Sequence, residues 1–281
     1  KQVARQQAGT MIWSPSGSHA LHFDGQNWNA VAAESGERVN LTRQLAVKFF
    51  NEEDDHPDTP PAYGLGGWVK DGRSVLLYDR YDIWQVALDG TRAVNVTEGL
   101  GRAEGIQFRV VRLGADDPRD RGIDPAKPLL LRAEKIDTRE TGFYRDRLDS
   151  AQRPEKLVLE ARSFSTPVKA KDSEILLLTA SRFDQYPDLL VADPTFRVMK
   201  KVSNVGAQME AFQWGTSELV RFRTMDGQML KATLYKPAGF DPAKKYPMVV
   251  YIYERLSQGV HNFVEPRPQH SVNASLYVSN G

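Results

Sequence analysis

The chain has 281 residues, of which 41% are hydrophobic and 26% charged, as is typical of a globular protein. Its 37 basic and 36 acidic residues leave a formal net charge of +1, and the lack of a basic block argues against a nucleic-acid partner. The absence of cysteine excludes disulfides, thiolate metal sites and a cysteine nucleophile. Since no apolar run is long enough to cross a bilayer, we expect no membrane segment in this chain. We also expect no cofactor.

An internal repeat with an offset of 55 residues occupies the first part of the chain. The motif Trp13-Ser-Pro-Ser-Gly17 returns as Trp68-Val-Lys-Asp-Gly72. The same offset relates Asp24 to Asp79, and Asn40-Leu-Thr42 to Asn95-Val-Thr97. Between these landmarks each unit holds short apolar runs separated by polar turns. Such a unit predicts three or four short antiparallel strands, which make one blade of a β-propeller.

Two weaker copies follow the first two. A degenerate copy begins at Lys171-Asp172, which lies 101 residues after Lys70-Asp71. Its expected strands are at residues 174–179, 187–193 and 198–202, and those of an irregular blade before it are at 128–132, 143–147 and 156–160. We therefore expect about four blades in residues 10–204, within a partial propeller domain at residues 1–215. Two polar insertions, at residues 51–58 and 115–122, are predicted to be solvated loops.

A different pattern begins at residue 216. Strand-like runs at residues 219–223 and 228–235 flank Asp226-Gly227, a strong hairpin signal. Residues 248–253 are then apolar and rich in β-branched and aromatic side chains without alternation, which predicts a strand buried on both faces. We expect residues 216–281 to form the truncated N-terminal portion of an α/β domain.

Three motifs in this region carry a family resemblance. They are Phe222-Arg-Thr-Met-Asp-Gly227, Leu234-Tyr-Lys-Pro237 and Lys245-Tyr-Pro-Met-Val-Val-Tyr-Ile-Tyr253. Together they resemble the entry into the catalytic domain of serine peptidases of the prolyl oligopeptidase and dipeptidyl peptidase IV type. The resemblance implies a mainly β chain: propeller blades of four-stranded antiparallel sheets, followed by the first strands of an α/β-hydrolase domain. It also implies a parent enzyme that cleaves short peptides through an acyl-enzyme, with the propeller limiting substrate access.

The nucleophile of such an enzyme is not found in this sequence. A hydrolase serine lies on the tight turn of a Gly-x-Ser-x-Gly motif, and the nearest match, Gly215-Thr-Ser217-Glu-Leu219, lacks the second glycine and precedes a strand. The aspartate and histidine of the triad follow the serine in chain order, so we expect them outside this chain as well. The chain alone is predicted to be inactive.

Tyr253 is the candidate catalytic residue. In the resembled peptidases a tyrosine at the end of this strand donates its hydroxyl to the oxyanion. Here Glu254-Arg255 follow it where those peptidases have small residues, so the loop shape differs. The alternative is an aromatic side chain in the core of the sheet, with its hydroxyl satisfied locally.

Glu52 and Glu53 are the candidate substrate-binding residues. The resemblance implies paired glutamates that hold the substrate's N-terminal ammonium. The surrounding segment, residues 51–58, lacks the spacing of a calcium loop, and a solvated acidic loop is the favoured interpretation. His261 and His270 have no zinc spacing and are predicted to be surface or satisfied polar groups, so no metal site is expected.

The ends of the chain suggest a piece of a longer protein, because it begins at Lys1 without a signal-peptide pattern and ends beside an apolar run. The resemblance implies short peptides as partners, a parent that is periplasmic or secreted, with the cytoplasm an alternative, and a possible homo-oligomer. A competing hypothesis is a non-enzymatic propeller that binds a protein or glycan. It explains residues 10–204 equally well but gives no reason for the pattern of residues 219–253.

Overall fold

The computed structural model describes residues 11–113, 122–148, 150–253, 255–268 and 271–280. The predicted loop at residues 115–122 lies outside the described residues except for Gly122. The chain is mainly β, as predicted. Its α-helices among the described residues are short: α1 is Leu100–Glu104 and α2 is Ala274–Val278. No helix in the described part of the chain is long and apolar enough to span a membrane.

The first two blades are four-stranded antiparallel sheets whose strands follow chain order. The first sheet contains β1 (Ile12–Trp13), β2 (His19–Phe23), β3 (Trp28–Ala32) and β4 (Arg38–Asn40). The second contains β5 (Leu65–Trp68), β6 (Ser74–Tyr78), β7 (Ile83–Ala87) and β8 (Ala93–Asn95). Short turns between strands of alternating direction produce this order.

The registers confirm the 55-residue repeat. Trp13 pairs with Ala20 and Trp68 with Val75, while Asn40 and Asn95 close the fourth strand of their sheets. Two repeated polar residues explain why the motif recurs. Each repeated aspartate accepts backbone N–H groups in the turn after the second strand, and each repeated threonine accepts the N–H that opens the third. The bonds are Asn27 to Asp24 (2.7 Å), Tyr81 to Asp79 (2.7 Å), Trp28 to Thr42 (3.0 Å) and Ile83 to Thr97 (3.2 Å).

The third and fourth blades confirm the weaker copies. The third sheet has the order β12–β11–β10–β9, with β9 (Ile106–Val111), β10 (Leu129–Lys135), β11 (Thr141–Asp146) and β12 (Glu155–Glu160). The fourth contains β13 (Ser163–Phe164), β14 (Val168–Lys169), β15 (Leu176–Arg182), β16 (Gln185–Ala192) and β17 (Met199–Lys201). Here β13 and β14 both pair with β15, so one edge position is shared by two short strands.

The contacts of the chain divide it into two compact units. Unit 1 takes its described residues from Lys1–Glu134 and Phe143–Lys156, and unit 2 from Lys135–Gly142 and Leu157–Gly281. In unit 1 the first two sheets share one core, which contains Leu21, Trp28, Phe49, Trp68 and Val75. The predicted domain boundary between residues 215 and 216 stays a prediction.

The predicted hairpin is present in unit 2. Strand β18 (Thr216–Arg223) pairs with β19 (Met229–Lys236) along its full length. The turn is closed by the N–H of Thr224, which donates to the carbonyl of Gln228 (2.8 Å). Gly227 has a φ of +89°, a value that glycine adopts at little cost, which explains the Asp-Gly signal.

The prediction of a buried strand at residues 248–253 is wrong. These residues form no strand, and their side chains are exposed, from 47% for Tyr251 to 81% for Ile252. A strand needs a neighbour for its backbone groups, and no described strand lies beside this run. The apolar pattern shows that these side chains could be buried if a neighbouring strand were present. It does not show that such a strand exists.

A buried carboxyl group lies at the end of β11. Asp146 is 5% exposed, its Oδ1 accepts the N–H of Arg147 (2.8 Å), and its Oδ2 has no hydrogen-bond partner among the described residues. Burial raises the pKa of Asp146 to about 7; the bond from Arg147 opposes this shift and the charge of Glu98 adds to it. The folded state of unit 1 therefore holds a proton here that the unfolded chain releases near pH 4.

Asp146→Asn should remove a pH dependence of stability. Between about pH 4 and pH 7 the folded state binds the extra proton, so the wild-type free energy of unfolding should fall as pH rises, by at most about 4 kcal/mol. Asparagine mimics the protonated acid and cannot ionise. Urea denaturation at several pH values would check this: the variant should gain stability over wild type toward pH 8, and parallel curves would contradict the assignment.

Candidate functional site

The acidic loop at residues 51–58 belongs to unit 1, and backbone hydrogen bonds join the two chain segments that flank it. Phe50 and Ala62 form an isolated antiparallel bridge. Two backbone bonds flank it: the N–H of Asn51 donates to Pro61 (2.7 Å), and that of Tyr63 to Phe49 (2.9 Å). Phe49 is 1% exposed and belongs to the core shared by the first two sheets. The residues that flank the loop are therefore held in place by packing as well as by hydrogen bonds.

Both predicted substrate-binding residues lie at the start of this loop and are exposed. The N–H of Glu52 donates to the Tyr63 hydroxyl (2.9 Å), and its carboxylate lies 3.7 Å from the Lys48 ammonium. The Glu53 carboxylate pairs with the guanidinium of Arg80. The loop is solvated, as predicted, but its two glutamates have defined partners.

Two arginines that sequence reasoning did not single out lie on the Tyr81 ring, and one of them, Arg80, is the partner of Glu53. The guanidinium of Arg80 lies 5.1 Å from the centre of the Tyr81 ring, and that of Arg102 lies 5.3 Å from it. Stacking on an aromatic face is favourable for a cation and orients it. Arg80 follows the repeated Asp79 directly, a signal available from the sequence, whereas Arg102 reaches the ring only through the tertiary fold.

Two buried acids hold the turn that carries Arg80. Asp79 and Asp82 are 0% and 1% exposed. Asp82 accepts hydrogen bonds from the hydroxyl of Thr97 (2.7 Å) and from the N–H groups of Gly101 (2.9 Å) and Arg102 (3.1 Å). Burial raises the pKa of Asp82; these bonds oppose the shift and the Asp79 charge adds to it. Because these donors connect the turn with α1, Arg80 and Arg102 are held beside one another.

One group of described residues has side-chain ligand atoms close enough together to hold a metal ion. One ligand atom each from Asp54, Asp55 and His56 lie within 4.8 Å of one another. His56 and Asp55 are exposed, and Asp54 already hydrogen-bonds both the backbone and the ring of His56. Exposed acidic clusters of this kind are common without an ion. The expectation of no metal site stays a prediction.

The candidate catalytic residue, Tyr253, lies in unit 2, whereas Glu52 and Glu53 lie in unit 1. Its side chain is 75% exposed, so the alternative of an aromatic residue in a sheet core does not apply here. Its φ of +151° is unusual for a residue with a side chain, and such backbone occurs preferentially at functional sites. The role of Tyr253 stays a prediction.

The remaining candidates lie near the segment after Tyr253. Ser217 lies on β18, and its hydroxyl donates to the carbonyl of Val260 (2.6 Å), which is not the turn of an activated nucleophile. His261 is half-buried, and its Nε2 atom has no hydrogen-bond partner among the described residues. Its interpretation as a surface or satisfied polar group stays a prediction. His270 lies outside the described residues.

No protein-family model matches the sequence, and no curated protein matches it either. The fold does match solved structures. A protein described as a dipeptidyl aminopeptidase IV, from Bacteroides ovatus, superposes over 97% of this chain and 40% of its own, with a TM-score of 0.57 and 15% identity. Dipeptidyl peptidase 4 from Porphyromonas gingivalis superposes over 84% and 32%, with a TM-score of 0.54 and 13% identity.

The fold of this chain is similar to part of the fold of these two dipeptidyl peptidase structures. The match includes nearly all of the chain, and the four sheets agree with the blades that the sequence predicts. This chain spans 40% and 32% of the lengths of the two dipeptidyl peptidase structures. At these identities the likeness establishes the fold alone.

Arg80→Met should loosen the acidic loop without unfolding unit 1. Exposed ion pairs contribute less than about 1 kcal/mol, so the melting temperature should change little, while hydrogen exchange in residues 51–61 should accelerate by about threefold. Arg102→Met is the matched control, because Arg102 lies on the same ring but pairs with Asp79. Equal exchange in both variants would contradict an anchoring role for Arg80.

Proposed function

We propose that this chain contributes propeller blades and the first hydrolase strands to a serine peptidase of the prolyl oligopeptidase type. The observation that carries the proposal is the superposition of 97% of the chain, blades and hairpin included, on a dipeptidyl aminopeptidase IV structure. The reaction would be acyl transfer from a short peptide to a serine, followed by hydrolysis. The serine, aspartate and histidine would come from outside these 281 residues.

The blades would limit which substrates reach the catalytic serine. Each is a compact antiparallel sheet, and the first two bury one common core, so a wall made of them resists deformation. Short or unfolded peptides would pass such a wall and folded proteins would not. The parent would be periplasmic or secreted, which fractionation of the source cells would test.

Tyr253 would donate its hydroxyl to the oxyanion of the tetrahedral intermediate. Support comes from its position in the chain, after the hairpin and the apolar run of residues 248–252, and from the exposure of its side chain. A donor to an oxyanion must be accessible to the substrate before reaction. The 75% exposure of Tyr253 satisfies that requirement.

Glu52 and Glu53 would hold the ammonium group at the substrate's N-terminus. Two adjacent carboxylates on an anchored loop offer the charge and the hydrogen-bond acceptors that an ammonium group needs. The pairing of Glu53 with Arg80 would orient its carboxylate and leave an oxygen for the substrate. Removal of either carboxylate would raise KM for peptides with a free N-terminus and leave N-acetylated peptides unaffected.

The 281-residue chain should not react with a fluorophosphonate probe. The probe requires a serine activated by a base and an oxyanion hole, and Ser217, the nearest sequence match, instead donates to a backbone carbonyl. Intact-mass spectrometry after incubation would measure labelling, with an active serine peptidase treated in parallel. Stoichiometric labelling of any serine would contradict the proposal that the nucleophile lies elsewhere.

In the full-length enzyme, Tyr253→Phe should lower kcat roughly a hundredfold, because loss of one oxyanion donor costs about 3 kcal/mol in the transition state. KM should stay within about twofold, since the ground-state carbonyl gains little from that donor.

Tyr251→Phe is the matched control for Tyr253→Phe. It removes a neighbouring exposed hydroxyl from the same run and should leave both constants unchanged. A Tyr253→Phe enzyme with wild-type kcat would contradict the oxyanion role.

A further inference from the structure

The segment that follows Tyr253 is attached to unit 2 at several points. Its first part is a 3-10 turn, Ser257–Gly259, and the next residue, Val260, is 0% exposed. The hydroxyl of Ser217 on β18 donates to the carbonyl of Val260 (2.6 Å). Phe263 then stacks on Trp214, with ring centres 5.2 Å apart and planes 9° from parallel. This polypeptide is therefore held by a buried side chain, a hydrogen bond and a ring stack.

The turn between β10 and β11 holds the same segment from another side. The guanidinium of Arg139 donates to the Ser257 hydroxyl (3.3 Å). The backbone of Thr138 acts on the imidazole of His261 and raises its pKa. Both residues of the turn belong to unit 2, although the strands on either side of it lead into a propeller blade.

This turn is itself rigid and attached to the hairpin. Arg139 has a φ of +63°, and its N–H donates to the carbonyl of Lys135 (2.7 Å), which closes a tight connection. Asp137 pairs with the guanidinium of Arg221 and lies 2.7 Å from the Lys231 ammonium. A single turn of the third blade thus contacts β18, β19 and the segment after Tyr253.

We propose that the turn at residues 137–139 acts as a clasp that fixes the segment at residues 257–263 and thereby positions Tyr253. The inference rests on the proposed oxyanion role of Tyr253 and adds positioning residues to it. An oxyanion donor is effective only when it is held at the reacting oxygen before reaction, and a residue on unanchored polypeptide is not held. Thr138 and Arg139 supply the anchoring from the propeller, so the blade contributes to catalysis as well as to access.

His261 makes the clasp sensitive to acid. Burial lowers the pKa of its imidazole; the backbone of Thr138 opposes this, Arg182 lowers the pKa further, and Glu140 opposes it. Protonation would place an N–H on the buried Nε2 atom, which has no acceptor among the described residues. Since the docked segment disfavours the charged ring, docking is stable above the ordinary histidine pKa of about 6.5 and weakens as pH falls below it.

Hydrogen exchange on the 281-residue chain tests the clasp without any assumption about activity. Arg139→Met removes the bond to the Ser257 hydroxyl and should lower the protection factors of residues 257–263 about fivefold, the ratio set by about 1 kcal/mol of hydrogen bonding. In wild type these factors should fall between pH 8 and pH 5. In His261→Gln they should not, because glutamine does not ionise. His56→Gln, an exposed loop histidine, should behave as wild type.

Kinetic measurements on the full-length enzyme distinguish a failure of the clasp from a failure of the proposed oxyanion role of Tyr253. If the clasp positions Tyr253, Arg139→Met should lower kcat with KM unchanged, and His261→Gln should flatten the acid limb of the kcat profile. Wild-type protection of residues 257–263 in Arg139→Met would overturn the clasp, whatever the activity. Lowered protection with unchanged kcat, in an enzyme that Tyr253→Phe impairs, would overturn positioning alone. A Tyr253→Phe enzyme with wild-type kcat would overturn the oxyanion role. The hydrogen-exchange experiment would still show whether the clasp holds residues 257–263.

Discussion

A four-stranded sheet has two faces, and a short blade can bury them only against another part of the chain. In unit 1 this constraint joins the first two sheets through one core, in which Leu21 and Trp28 of one sheet meet Trp68 and Val75 of the other. The connection between the sheets takes part as well, because Phe49 is buried in the same core. The acidic loop begins directly after Phe49, so the packing of two blades determines where its carboxylates lie.

In the turn after β6, the burial of charged groups determines where a functional side chain lies. Two fully buried aspartates cost free energy unless donors surround them, and here backbone N–H groups, a threonine and a tryptophan provide those donors. One aspartate belongs to the 55-residue repeat and closes a turn in both blades. The second, Asp82, connects the turn to α1 and so brings Arg80 and Arg102 to one aromatic ring. A structural requirement of the blade thus holds the turn that carries Arg80, the partner of Glu53.

In unit 2, by contrast, an apolar run is left exposed. Residues 248–253 are as apolar as a core strand, yet they are exposed, since strand formation requires a hydrogen-bonding neighbour as well as apolar side chains. An exposed run of this composition is a site for strand addition. A downstream hydrolase sheet, as proposed, would supply the neighbour. The segment beyond Tyr253 is held by individual contacts instead, through Val260, His261 and Phe263.

The sequence by itself predicted the four-stranded antiparallel sheets and the hairpin. These features rest on local rules: alternation of apolar residues, turns closed by aspartate or glycine, and a repeat offset that places Thr42 and Thr97 at equivalent bonds. Only the tertiary structure decided the partners of Glu53, the exposure of Tyr253 and the contact of His261 with Thr138. Each depends on residues far apart in the chain, and a periodic pattern carries no information about which distant side chains meet.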